Sequence, residues 1–176
     1  MEWILTLLMA VYMLYTVHDL NRKLSGTLET IPRSRACAGN MLTRAMDASH
    51  LEVTAALQMN HIDGTVDDMK KSWEKMLGCV RTVNVYANNY TSPGTGGYVF
   101  PFIYNNTMWV NAKRWDKESL SMKIRVVLHE CSHLSLSTED YKYADDVNFT
   151  HLRGPEARNN ADTITTMLMD IGQYRC

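Results

Sequence analysis

The run Val126-Val127-Leu128-His129-Glu130-Cys131-Ser132-His133 constrains this chain more than any other stretch of it. On a helix, residues i and i+4 share one face one turn apart, so His129 and His133 can aim two imidazoles at a single ion. Glu130 projects beside them, close enough to take a proton from a water at that ion without ligating it. The chemistry therefore requires a helix that is apolar on its other faces. Leu120, Ile124, Val127 and Leu128 supply that apolar lead-in, and Asp116 is a good N-cap for a helix beginning at Lys117. A structural alternative is a pair of histidines that merely interact with the dipole at a helix C-terminus.

Two ligands do not complete a catalytic zinc site, which needs three protein ligands and one open position. The sequence has no histidine at the position where a longer His-Glu-x-x-His-x-x-Gly-x-x-His pattern would place the third. Glu156 is followed by Asn159-Asn160-Ala161-Asp162 rather than by the Glu-x-x-x-Asp pattern of a typical glutamate ligand. Glu139 and Asp140 are the nearer candidates, and a short turn through Leu134–Thr138 would swing one of them back. His151 lies eighteen residues beyond His133 in a different segment and is expected to stay out of the site, as are His50 and His61.

The remaining residues set the frame. At 176 residues and 45% apolar, one domain with one core is the expectation. A formal net charge of −1 argues against an electrostatic nucleic-acid binder. Residues 1–22 form an apolar leader, apolar all round over its first sixteen residues. That is short for a membrane span but suits a secretory segment, an anchor or a docked helix. Export of a domain over residues 23–176 is the expectation, with the membrane involved only if the leader stays attached. Cys37, Cys79, Cys131 and Cys176 form no Cys-x-x-Cys pair. Their even number fits one or two disulfides in an exported protein, and Cys131, inside the motif helix, reads as a free packed thiol.

Periodicity gives an order of helices, a small sheet, the motif helix and a closing helix, an α+β layout. Residues 21–35 read as a polar linker broken by Gly26 and Pro32. A helix follows over about residues 41–59, and a second opens at Asp67-Asp68 with Val66, Met69, Trp73, Met76 and Leu77 as its apolar face. Residues 82–86 alternate like a strand, residues 91–97 form a glycine-rich loop, and residues 98–104 and 107–111 read as two further strands around an Asn105-Asn106 turn. The sheet is expected to be mostly antiparallel. The strand before the motif helix, flanked by Trp109 and Trp115, is a candidate edge for an added substrate strand. Ala157, Ala161, Ile164, Leu168 and Ile171 mark a final helix over about residues 156–172.

Two further signatures carry a family resemblance. Ser137-Thr138-Glu139-Asp140-Tyr141-Lys142-Tyr143-Ala144 resembles the Gly-Thr-x-Asp-x-x-Tyr-Gly pattern of the aspzincins, the deuterolysin and lysine-specific metalloendopeptidase group of zinc peptidases. Thr138, Asp140 and Tyr143 match, while Ser137 and Ala144 replace the two glycines. Asn160-Ala161-Asp162-Thr163 resembles that family's Asn-Ala-Asp-[Ser/Thr] signature. The resemblance implies a compact zincin-like domain that hydrolyses protein or peptide substrates as a zinc endopeptidase. It implies that His129, His133 and Asp140 ligate Zn²⁺, that Glu130 is the general base, and that Tyr143 donates to the developing oxyanion. It places Asp162 and Thr165 at the substrate pocket or behind a ligand. Thr165 stands where lysine-specific members carry a second carboxylate, so a lysine preference is not implied. A zinc-binding module without proteolytic activity is the competing expectation. Substrate, oligomeric state and biological role are not set by the sequence.

Overall fold

The computed structural model describes residues 29–88, 96–100 and 106–173. The apolar leader over residues 1–22, most of the glycine-rich loop and residues 101–104 of the second expected strand lie outside the described residues.

The first described helix, α1, covers residues 29–47, so the segment read as a polar linker is helical from residue 29 onward. Ile31, Ser34, Cys37, Ala38, Met41, Leu42 and Ala45 are buried along it at helical spacing. Arg35, one of the polar residues that make this stretch look like a linker, has tertiary partners. Arg35 donates from Nε to the Val80 carbonyl at 2.9 Å and from Nη2 to the Arg81 carbonyl at 2.7 Å. It thus satisfies backbone acceptors at the end of the helix beside it. Helix α2, His50–Met59, is separate from α1 because Ser49 breaks the run and caps the new helix in a reciprocal box with Glu52. Helix α3, Val66–Thr82, is capped by Thr65 and carries Asp67 and Asp68 in its first turn. It buries Met69, Trp73, Met76, Leu77 and Val80, the apolar face expected from the spacing.

Three short strands follow: β1 (Asn84–Asn88), β2 (Gly97–Val99) and β3 (Thr107–Asn111). Their order is β1-β3-β2, with β1 parallel and β2 antiparallel to β3. The sheet is therefore mixed rather than mostly antiparallel, and β3 is its central strand. The edge strand beside the motif helix is β2, not the strand flanked by Trp109 and Trp115. Trp115 is only 1% exposed and belongs to the core, whereas Trp109 stacks on Tyr98 on the outer face of the sheet.

Helix α4, Ala112–Trp115, is a single turn ending at Asp116, which is a C-cap rather than the expected N-cap. Ser119 caps the motif helix α5, Leu120–Leu136, by accepting from the Met122 N–H at 3.2 Å. Helix α5 is central: α3, α7 and β2 all pack on it. The closing helix is two pieces, α6 (Gly154–Arg158) and α7 (Ala161–Gly172). They separate because Asn160 is extended and bridges Glu139 instead of continuing the helix.

Cys131 is disulfide-bonded to Cys79, joining α5 to α3, so the expectation of a free thiol is overturned. Burial was read correctly, since Cys131 is fully enclosed, but what faces a buried position depends on which helix packs there. Cys37 is disulfide-bonded as well. Among the described residues no helix is long and apolar enough to cross a membrane.

Candidate metal centre

His129 and His133 leave one face of α5 and converge, their Nε2 atoms 3.1 Å apart. Asp140 Oδ1 lies 3.1 Å from His129 Nε2 and 3.3 Å from His133 Nε2. Nitrogen and oxygen ligands on a tetrahedral ion at about 2.0–2.1 Å sit about 3.3 Å from one another. The three atoms thus already occupy positions that match three corners of such a tetrahedron. Among the described residues these three form the group able to hold a metal ion.

Each imidazole is fixed from behind. His133 Nδ1 donates to the Thr138 carbonyl at 2.7 Å, an atom that can only accept, so its Nε2 is left with the lone pair. His129 Nδ1 faces Asp162 Oδ1 at 2.9 Å, which sets the same tautomer. Two imidazole nitrogens and one carboxylate oxygen then meet at one spot, an arrangement that positive charge there, from a proton or a metal ion, stabilises. The electrostatics agree. Burial alone would push His129 down, but hydrogen bonding to Asp140 and Asp162 outweighs it and carries the imidazole up to about 10. Asp140 would rise on burial, yet the two imidazoles hold it well below the usual carboxylate range.

The loop that delivers Asp140 leaves α5 through Ser137, which adopts φ 57° and ψ 39°. This left-handed position is the first glycine position of the signature and here carries a side chain, which costs about 1–2 kcal/mol. Ser137→Gly is expected to stabilise the protein by about 1 kcal/mol and to raise the thermal unfolding midpoint by roughly 2–4 °C. Ala144, at the second glycine position, has no positive φ and tolerates its side chain.

Asn160 holds the same loop from the other side and was missed as a site residue. It is fully buried, its Oδ1 accepts from the Tyr141 and Lys142 N–H groups, and its Nδ2 donates to the Lys142 carbonyl and to Thr163 Oγ1. The Glu139 N–H bonds the Asn159 carbonyl and the Ala161 N–H bonds the Glu139 carbonyl. Glu139 is thereby used through its backbone, and its exposed side chain is not in the metal group. The Asn-Ala-Asp signature therefore combines a loop clamp with a histidine partner two residues later.

Asp162 is that partner. Besides His129, its Oδ1 lies 3.3 Å from Arg125 Nη2, and its Oδ2 accepts from the Ala144 N–H at 2.7 Å. Asp162→Asn is expected to weaken metal affinity about 10- to 100-fold without unfolding the protein. A competition titration against a chromogenic chelator, with circular dichroism as the folding control, measures this. Thr165 is 0% exposed, so it lines no cleft, and its Oγ1 has no hydrogen-bond partner among the described residues. One turn of α7 beyond Asp162 simply points into the core.

Glu130 is 5% exposed and lies beneath β2, where a Cβ on Gly97 would come within 3.1 Å of Glu130 Oε1 and 2.8 Å of Val126. Gly97 therefore lets the edge strand close over the carboxylate; the Gly96-Gly97 pair was the signal, but it read only as loop. Burial raises the Glu130 carboxyl to about 7, with His129 and His133 opposing the rise. A group poised there can both accept and return a proton near neutral pH. Tyr143 is half exposed, stacks on the His129 ring and donates to Asp140 Oδ2 at 3.0 Å. Burial and the Asp140 charge push its phenol up to about 12, so it remains a donor. These groups line a cleft of about 860 Å³ between β2, α5 and the Asp140 loop. His151 is exposed on a short turn and stays outside it, and His50 and His61 are exposed elsewhere.

The fold is shared with a solved zinc peptidase from Grifola frondosa. The TM-score is 0.64 at 16% identity, over 86% of this chain and 99% of that one. No protein-family model matches the sequence, and no curated protein sequence matches it.

Proposed function

We propose that this chain is a zinc-dependent endopeptidase of the aspzincin type, which hydrolyses peptide bonds with Glu130 as general base. The observation that carries the reading is the convergence of His129, His133 and Asp140 at 3.1–3.3 Å, with a buried carboxylate beside them in an open cleft. The zinc-peptidase fold supports it. His129, His133 and Asp140 would hold the ion. Two imidazoles and one carboxylate form a donor set that zinc favours and that leaves a coordination position open. Zinc bound there supplies Lewis acidity and lowers the pKa of water toward neutrality.

The chain's own residues do the rest. Glu130 takes a proton from the attacking water and returns it to the leaving amine. Its burial under β2 removes competing solvent and keeps its pKa near the working pH. Tyr143, whose hydroxyl donates to Asp140, would turn that hydroxyl toward oxygen charge that develops on the scissile carbonyl. The edge strand β2 borders the cleft and offers backbone groups against which an extended peptide can lie. Thr138, Asp162 and Asn160 fix the ligands and their loop.

Export fits this reading, because the disulfide-bonded Cys37, Cys79 and Cys131 belong to an oxidising compartment. The test is cleavage of a mixed peptide library by purified protein, before and after chelation. Activity is expected to disappear with the metal and to return with Zn²⁺ but not Mg²⁺. Cleavage that survives complete metal removal would exclude the proposed site as its source.

A further inference from the structure

We infer that Arg125 makes this cleft a carboxylate acceptor, selecting substrates with a negative charge adjacent to the scissile bond. The inference rests on the peptidase reading and names its substrate class. Arg125 lies four residues before His129 on α5, and therefore one turn away on the face that carries both histidines. It lines the same cleft as the metal group. Its Nη2 donates to Thr166 Oγ1 at 2.9 Å and lies 3.3 Å from Asp162 Oδ1, so the guanidinium is held in place from behind. Nη1 and Nε have no hydrogen-bond partner among the described residues, and the side chain is 21% exposed. A fixed guanidinium with donors left over at the wall of a cleft is a site for bidentate carboxylate binding.

The carboxylates nearby do not reverse this preference. Asp162 has both oxygens engaged, by His129 and Arg125 on one side and by the Ala144 N–H on the other. Asp140 faces the imidazoles and Tyr143. Glu130 lies buried under β2, and Glu139 and Asp145, which also line the cleft, are exposed on the loop after α5, where solvent and salt screen their charge. A lysine ammonium entering beside His129 would meet the Arg125 cation and an Asp162 already neutralised by it. An incoming carboxylate would instead find donors with no other use. Two sources present that chemistry: an Asp or Glu side chain next to the cut, or the free C-terminal carboxylate of a short peptide.

The experiment compares kcat/KM for quenched peptides that differ only in having Glu, Ala or Lys beside the cut, each with a free and an amidated C-terminus. The expected order is Glu over Ala by roughly 10- to 100-fold, with Lys poorest. A preference that follows the free C-terminus rather than Glu identifies the terminal carboxylate as the group bound. Arg125→Ala is expected to collapse the ratio between Glu and Ala peptides, and Arg125→Lys to restore part of it. If Arg125 only steadied Asp162, Arg125→Ala would slow all peptides equally and leave the ratio intact, which would overturn the inference. The same peptides are titrated onto zinc-loaded Glu130→Gln protein by calorimetry. Tighter binding of Glu than Lys peptides supports the inference even if the parent cleaves nothing, an outcome that would sink the peptidase reading alone. Equal binding overturns the inference.

Discussion

Glu130→Gln is expected to lower peptide hydrolysis by about 10²- to 10⁴-fold while zinc content and thermal stability stay near those of the parent. The substitution keeps the size of the side chain and its place under Gly97 and β2, but removes the carboxylate proposed to move the proton. Glu130 is not one of the converging ligand atoms, so metal binding does not depend on it. Initial rates on a quenched peptide, with zinc measured by atomic absorption, separate the two effects. If parent protein holds zinc and cuts nothing, the chain is a binding module on a peptidase fold. If Glu130→Gln retains full activity, the base is elsewhere.

Asp140→Ala is expected to have the second largest effect: loss of zinc affinity by more than about 100-fold, beyond the 10- to 100-fold range for residues that only support a ligand. Activity should fall with it at limiting zinc. The geometry behind this is the position of Asp140 Oδ1, within 3.1–3.3 Å of both imidazole nitrogens. Removing it leaves two ligands, and no other described carboxylate is grouped with them. Unchanged affinity in a metal-buffer titration would show that the loop rearranges to bring in Glu139, its sequence neighbour.

Asp140 also shows where the sequence stopped. The residues alone left Glu139 and Asp140 open, and only a resemblance to a signature separated them. In the folded chain the choice is set by backbone pairing. The Glu139 carbonyl and N–H are tied to the start of α7, which fixes the loop so that Asp140 turns toward the histidines. A one-residue difference in which side chain faces the two imidazoles follows from a contact across about twenty positions. Thr165 went the other way, because counting three residues from Asp162 says nothing about which side of α7 meets solvent.

The sequence by itself determined the elements whose signal is local. Spacing in α3 and α5 was enough to read their buried faces, and His129, Glu130 and His133 followed from helical geometry alone. The tertiary structure decided everything that depends on a partner distant in the chain. Part of an apparent linker is helix because its apolar face packs into the core and Arg35 reaches the end of α3. Cys131 becomes half of a disulfide because α3 packs beside α5. Gly97 becomes part of the site because β2 must approach Glu130 closely. Arg125 becomes a candidate for substrate recognition because Asp162 and Thr166 of α7 hold it at the cleft. Periodicity reports which face of an element is buried; only packing reports what is buried against it.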